Sequence, residues 1–570
     1  MALNIIVQPT EYSPVNAEIW YSVNSTNSAL TDFKYIYTVE KINPITGAST
    51  SILGTFKVPP RPVTFDGLFT PHKLLRSELS YYINPFISEP VIASQSAIKF
   101  RFVNSYEYNP NQAFIDVTNV AGYAALKVSG NVTANYAVGD SVQVSMSNTS
   151  VNPQYNGVIG VLAVTYVAPY TYIKINKTFV TAAVTQPGLI TLIRKVGATS
   201  SNYWTYTGTR QYDEIDKNFG DQLVFYSSAT SSTQTPMTNY NFRYKDIYRH
   251  NYETLSLMVN GASGSYFGID YITYDSSGNF IDSSGIVQLS NSPIDVRSSR
   301  IDVPAGPQNI FDSGYVDYVT FFSGAASYEM LIYSRETGGA SPWNLRYTKK
   351  YKLVENCSPY KKNFRLAFQN RQGGFDYWNF NWRSINSVNM SRTEFRKVLD
   401  YNYKVGDRQD TILANKSTET FNISSDWITE YDSNFLKELM TSPEVYLLED
   451  SWEFYDNFNS GGNVGFIGTE AHSYKVGDKI KIGQFSGATN PEYNGVFTII
   501  DIPDTYQIVV SNPFLISTPA EGGMVRLNGD IKYPIIITDS SYTVKTSIDN
   551  KLFALSLTFK MANDVNLQQS

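Results

Sequence analysis

Four carboxylates fall in one short stretch, YDEIDKNFGD: Asp213, Glu214, Asp216 and Asp221. Two suitably placed carboxylates suffice for glycosidic cleavage, and a set of oxygen ligands suffices for calcium. The spacing lacks the glycine that an EF-hand loop needs at its sharp turn, so a solvated loop is the simpler reading. His72, His250 and His472 lie far apart, and Cys357 is the only cysteine, so no ordinary zinc site and no intrachain disulfide is expected. The closest approach to a nucleophile elbow, GASGS at 261–265, ends in serine and has a strand pattern behind it. No P-loop and no dinucleotide fingerprint is present. We therefore expect no catalytic residue, no metal site and no cofactor.

A second kind of chemistry is charge recognition. Between Arg346 and Arg371 there are eight basic residues and one acidic residue, Glu355. Tyr347, Tyr351, Tyr360 and Phe364 are interleaved. Lys349, Lys350 and Lys352 are the candidates for contact with DNA. The rest of the chain is acidic, with a net charge of −6 over 570 residues. That balance favours a solvated strand pair over a nucleic-acid surface.

The elements that would position these groups read as β structure. Aromatics make up 14% of residues and charged residues 17%, the latter against about 25% in an average soluble protein. Residues 17–23 (AEIWYSV), 33–39 (FKYIYTV) and 97–103 (AIKFRFV) alternate apolar and polar at the strand period. The expected class is mostly β. It comprises multi-domain β-sandwiches carrying two inserted homologous small β modules and one or two short helices.

The modules announce themselves by repetition. Residues 136–158 (YAVGDSVQVSMSNTSVNPQYNGV) and 474–496 (YKVGDKIKIGQFSGATNPEYNGV) share Tyr-x-Val-Gly-Asp and Asn-Pro-x-Tyr-Asn-Gly-Val at identical spacing. A β-branched stretch opened by Thr-Tyr follows each, at Thr171 and Thr505. The Asn-Gly pairs suit tight hairpin turns. Tyr155, Asn156, Tyr493 and Asn494 are candidate surface contacts if the modules bind a partner.

The expected domains are a sandwich over 1–245 interrupted by a module at 125–195, a sandwich over 246–355, and a β domain over 356–570 interrupted by a module at 463–527. The last contains a helix at 427–440, capped by Ser425 or Asp426, with Trp427, Ile428, Tyr431, Phe435 and Leu439 on one apolar stripe. A shorter helix is expected at 391–399. No apolar run is long enough to span a membrane, and the first residues lack the pattern of a secretory signal.

Several blocks together resemble virion tail proteins of double-stranded DNA phages that infect Bacteroidetes, crAss-like phages included. They are QPTEYSPVNAEIWYSV, LGTFKVPPRP, GGFDYWNF, SSDWITEYDSNFLKELMTSPEVYLLED and YPIIITDSSYTVKT. The resemblance implies a structural subunit of a tail hub, collar ring or fibre attachment, assembled in the host cytoplasm. It implies a homo-oligomer in contact with other tail or portal-associated proteins, with DNA in the tail lumen as a further partner, and carries over no active-site residue. Two other classes of reading stand beside it: a receptor- or glycan-binding protein that uses the paired modules on a host surface, and a tail-borne glycan hydrolase.

Overall fold

The computed structural model describes residues 3–570 apart from 18, 27, 30–31, 61–66, 81–82, 93–95, 108–110, 148–152, 181–186, 210–223, 227–233, 241–243, 250, 261–265, 290–296, 317–320, 336–341, 355–362, 400, 449–451, 469–473, 485–492, 494, 516–521, 527–531, 540–551, 563–566 and 570. Strands take 60% and helices 7%, far below the usual third for helix. The chain divides into two compact units, Met1–Tyr81 with Ser94–Gly220, and Tyr82–Ala93 with Asp221–Ser570. The boundary after the first sandwich thus falls near 220 rather than 245. Asp213, Glu214, Asp216, Asp221, the GASGS stretch at 261–265, His250 and His472 lie outside the described residues.

In the first unit a sheet runs Gly188–Tyr206, Ala97–Glu107, Lys34–Ile42 and Ser49–Val58, with Tyr12–Pro14 added in parallel to the first of these. Its core is aromatic. Tyr21 stacks on Phe102 with centroids 3.9 Å apart, and Tyr37 and Phe69 pack alongside at 5.4 Å. The Tyr21 hydroxyl accepts from Asn104 Nδ2 at 2.6 Å, so the buried phenol is not left without a partner.

The first module is a closed six-stranded barrel. In chain order its strands are Asn111–Val120, Tyr123–Ser129, Ser141–Met146, Gly157–Val167, Tyr170–Thr178 and the first part of Gly188–Tyr206. Around the ring they follow the order 1-2-5-4-3-6, and the sixth pairs with both the third and the first. The second module repeats this arrangement with Trp452–Ser460, Asn463–Gly468, Lys479–Gln484, Gly495–Asp504, Gln507–Pro513 and Gly522–Arg526. Both barrels therefore begin one strand earlier than the expected bounds, before 125 and 463.

The extra strand carries its own repeat. Asn119 Oδ1 accepts from the Gly122 N–H at 2.8 Å, and Asn459 Oδ1 from the Gly462 N–H at 2.9 Å. Both first strands bulge at the same place, between Phe114 and Asp116 and between Phe454 and Asp456. Phe114 faces Gly188, and Phe454 faces Gly522. A side chain on Gly188 would collide with the Phe114 ring, so glycine there makes room for the ring that fills the barrel end.

The Thr-Tyr match does not survive. Ile173 pairs with Leu126 and Ile508 with Phe466, which sets Thr171 opposite Tyr506 rather than Thr505. Thr171 is buried within its strand, whereas Tyr506 lies just before the strand Gln507–Pro513 and is exposed.

The second unit holds a sandwich and a helix-covered sheet. One layer of the sandwich is Val224–Tyr226, Thr254–Asn260, Arg297–Pro304 and Val91–Ile92; the other includes Lys245–Tyr248, Asn344–Val354, Ser327–Arg335 and Tyr266–Tyr274. Leu257, Val303, Ile269 and Met330 from both layers share one core. The eight-stranded sheet that follows packs Phe364, Phe368, Leu557 and Phe559 against Phe435, Leu436 and Leu439 of the helix Glu430–Thr441. That helix starts later than 427. Thr429 caps it: its hydroxyl accepts from the Asp432 N–H, and Asp432 accepts from the Thr429 N–H. Trp427 and Ile428 belong to the strand Asp410–Thr429, and the stretch expected as a helix at 391–399 lies mostly in the strand Ser384–Arg396.

The shared motif residues are structural. Tyr155 and Tyr493 are fully buried, and their hydroxyls accept from the Val180 N–H at 2.7 Å and the Leu515 N–H at 2.9 Å. Each pins the chain leaving the fifth strand. Removing the hydroxyl orphans a backbone donor, so Tyr155→Phe and Tyr493→Phe should each cost about 1–2 kcal/mol. The alanine variants should cost about 3–5 kcal/mol through the cavity left behind. Chemical denaturation of each variant measures this, and unchanged midpoints would refute the pinning role.

Candidate functional site

Three features concentrate polar or exposed chemistry, all in the second unit: a buried charge cluster, an aromatic pocket, and an arm made of an exposed edge strand, its neighbour and the tip that joins them.

The buried cluster accounts for the basic run. Glu253 Oε2 accepts from Lys245 Nζ at 2.7 Å and from Arg365 Nη2 at 3.0 Å, and Oε1 accepts from the Tyr351 hydroxyl at 3.2 Å. Burial opposes the charge on Glu253, but Lys245 and Arg365 outweigh it and hold the carboxyl below the usual range. The Glu253 backbone is tied as well, its N–H to Asn309 Oδ1 at 2.7 Å and its carbonyl to the N–H groups of Ala305 and Gly306. Nearby, Arg300 makes a two-point contact with Asp302 at 2.9 and 3.1 Å.

Lys349 points into the same interior and is buried, with its Nζ lacking a hydrogen-bond acceptor and lying 5.2 Å from the Tyr240 ring centroid. Burial, aided by the nearby Lys245 charge, pushes its amine down to about 7. Arg346 is buried against Ser334 Oγ, and Arg371 pairs with Glu438 at 3.1 Å. Lys350 is exposed but paired with Glu329 at 2.9 Å, while Lys352 is exposed. Lys349 is thus removed from any DNA-facing surface. A run that is basic in sequence serves in good part as counter-charge to carboxylates brought from elsewhere in the chain.

The modules give a parallel correction. Tyr155 and Tyr493 lie inside their barrels and are not surface contacts. Asn156 Oδ1 accepts from the Met146 N–H at 2.7 Å, which ties the loop to the strand before it. Asn494 lies outside the described residues. The Asn156-Gly157 pair does not make a tight hairpin, and Gly157 and Gly495 take positive φ, +113° and +141°. Asp140 and Asp478 close the turns before their third strands, accepting from the Ala137 and Lys475 N–H groups at 2.7 and 2.9 Å.

The pocket has a volume of about 460 Å³ and is walled by Tyr240, Tyr244, Tyr248, Trp378, Trp382 and Trp427. Asp246, Asp426 and Asp432 also line it, with Arg365 as the cation among the lining groups. Desolvation raises the Asp246 carboxyl, with Lys352 opposing the rise and Asp432 adding to it. Among the described residues no three His, Cys, Asp or Glu groups could hold a metal ion together, and no helix is long and apolar enough to cross a membrane.

The arm is formed by Ser384–Arg396 and Asp410–Thr429, paired from Ser384 with Ile423 out to Arg396 with Asp410. Every residue of the first strand is exposed, and that strand forms the edge of its sheet. Its 13 residues span about 43 Å at about 3.3 Å per residue. Ile385 and Phe395 project from one face, Val388 and Met390 from the other, and all four are exposed. At the tip Val398, Tyr401 and Val405 are at least 95% exposed. Sequence reasoning missed the arm, although its tip contains a legible signal, Tyr-Lys-Val-Gly-Asp at 403–407.

No protein-family model matches the sequence, and no curated protein matches it. Function must be argued from these three features.

Glu253→Gln should destabilise the second unit by about 3–5 kcal/mol, because Lys245 and Arg365 would remain buried without their counter-charge. Near-wild-type thermal unfolding would contradict its central role. Lys349 makes a prediction of opposite sign. Its folded-state pKa is about 7 against 10.5 for the ordinary amine, so folding releases a proton between those values. Its penalty is full below pH 7 and fades as pH rises towards 10.5. Lys349→Met should therefore be more stable than wild type at pH 7, and the gap should narrow by about 1.4 kcal/mol per pH unit up to pH 10. Urea unfolding at pH 7, 8 and 9 measures this; a gap independent of pH would refute it.

Proposed function

We propose that this chain is a structural subunit of a phage virion tail, of the hub, collar-ring or fibre-attachment kind. It acts through homo-oligomeric assembly and contact with other tail or portal-associated proteins, without turning over a substrate. The observation that carries the reading is the arm. A 13-residue edge strand about 43 Å long, exposed throughout and with apolar side chains on both faces, is costly in water and open to edge pairing. Assembly covers both the side chains and the edge. Interface cores are enriched in aromatics and depleted of charge, which matches a chain with 43 Tyr and 17% charged residues.

The reading as a receptor or glycan binder named Tyr155, Asn156, Tyr493 and Asn494 as surface contacts; the two tyrosines are buried and Asn156 is tied to the Met146 N–H. The reading as a DNA-lining protein loses Lys349 in the same way.

The test removes the arm tip and blunts the edge strand with Val388→Lys and Met390→Lys. Replacing residues 397–409 with Asn-Gly joins Arg396 to Asp410 through a two-residue hairpin turn. Full-length protein should form closed rings or higher oligomers in electron microscopy and light scattering. The shortened chain should keep its unfolding temperature but remain monomeric. A full-length chain that stays monomeric at high concentration, or a shortened one that assembles unchanged, would defeat the proposal.

A further inference from the structure

The arm tip carries a third copy of the barrels' turn. Tyr403 to Asp407 read Tyr-Lys-Val-Gly-Asp, like Tyr474 to Asp478, and match Tyr136 to Asp140 at four of five positions. The internal bonds are the same in all three. Asp407 Oδ2 accepts from the Lys404 N–H at 2.6 Å, as Asp140 does from Ala137 at 2.7 Å and Asp478 from Lys475 at 2.9 Å. The Asp407 N–H returns to the Lys404 carbonyl at 2.9 Å, as Asp478 does to Lys475 at 3.0 Å.

The surroundings differ. In the barrels the turn is covered: Tyr136 is 2% exposed and Tyr474 8%, and the Gly139 and Gly477 N–H groups donate to the carbonyls of Val161 and Ile499. At the tip Tyr403 is 63% exposed, and Gly406 does not take the positive φ of Gly139 and Gly477. The tip is a formed turn without its cover. With Arg396 already paired with Asp410 at 2.9 Å, Lys397, Lys404 and Arg408 outnumber Asp400 and Asp407 and leave the tip with one net positive charge.

The aromatic pocket has the complementary character. It sits at the base of the arm, where Trp382 precedes one strand and Asp426 and Trp427 lie near the end of the other. Asp432 is saturated by Thr429 and by the Tyr240 hydroxyl at 2.8 Å. The Arg365 guanidinium faces inward, held by Glu253, the Tyr252 carbonyl and Asn251. Asp246 and Asp426 therefore give the cavity a net negative charge, opposed by Lys352 near Asp246. Aromatic faces and carboxylates together favour a cationic side chain. The volume of about 460 Å³ admits one long side chain with a flanking ring.

We infer that the pocket at the base of one copy's arm receives the arm tip of another copy, an Arg408 or Lys404 side chain entering between the rings and carboxylates while Tyr403 is covered beside it. A chain's own tip cannot reach its own pocket, because tip and base lie at opposite ends of a 13-residue ladder, about 43 Å apart. The contact is head-to-tail, a geometry that closes into rings or runs on as filaments. This inference rests on the assembly reading above and names the contact that performs it.

The test uses two full-length variants, K404E/R408E at the tip and D426N/W427S at the pocket rim. All four positions are exposed, so both variants should unfold at the wild-type temperature. Each alone should be monomeric by light scattering. Their equimolar mixture should form a 1:1 dimer and nothing larger, because one competent tip and one competent pocket remain. A mixture that stays monomeric, or a rim variant that assembles like wild type while the shortened arm does not, would overturn the pocket assignment and leave arm-mediated assembly standing. Titrating the tip variant with N-acetyl-argininamide, and separately with maltose, checks the ligand class through tryptophan fluorescence. Quenching by the arginine derivative supports the inference; quenching by the sugar alone overturns it.

Discussion

Glu253 is the residue around which the second unit is arranged. One carboxylate neutralises a lysine from the strand Lys245–Tyr248 and an arginine from the strand Phe364–Gln369, and it takes a phenol from Asn344–Val354. Its own peptide group is bound to Asn309, whose amide in turn holds the carbonyls of Pro85 and Ile87. Ions buried this deeply gain little net stability, but any packing that parts them leaves an uncompensated charge in the interior. The arrangement thus fixes which strands meet, more than how tightly they adhere. It also explains why a sequence window rich in Lys and Arg does not produce a basic surface.

Much of the β architecture was legible because one-sided burial imprints a period of two. The modules were legible because the same turn chemistry is needed twice. Gly139 and Gly477 adopt positive φ, Asp140 and Asp478 close the turns, and Tyr155 and Tyr493 pin the exit chain. These demands keep residues the same. The first strand of each barrel was illegible since its demand is looser: a ring at Phe114 or Phe454 opposite a glycine, and an Asn bond across the hairpin. The roles of the shared tyrosines could not be read at all. A tyrosine beside a turn looks the same in sequence whether it faces solvent or plugs a barrel.

The arm failed to show for a different reason. Alternation appears only when one face of a strand is buried, and residues 384–396 are exposed on both. With no burial to impose a period, their mixed polar and apolar order reads as readily as a short helix. The helix at Glu430–Thr441 shows the opposite error. Its apolar stripe extends back through Ile428 and Trp427, but Asp432 reaches back to the Thr429 N–H and fixes the start there. Local capping chemistry outweighs the extrapolated stripe. The aromatic pocket is assembled from segments nearly 200 residues apart, Tyr240 to Asp432, and no local pattern announces it.

The strand Gly188–Tyr206 is shared, its first residues closing the first barrel and its later ones lying in the body sheet between Ala97–Glu107 and Tyr12–Pro14. In mechanical terms this makes the barrel a rigid extension of the body rather than a pendant on a tether. A load drawn along the strand axis is resisted by the ladder bonds in shear, many at once, instead of being peeled apart singly. The second barrel closes on the five-residue strand Gly522–Arg526, which pairs only within its own ring. Among the described residues, then, only the first of two modules of one design shares a strand with a body sheet, and strain entering through it passes directly into the sheet that bears it.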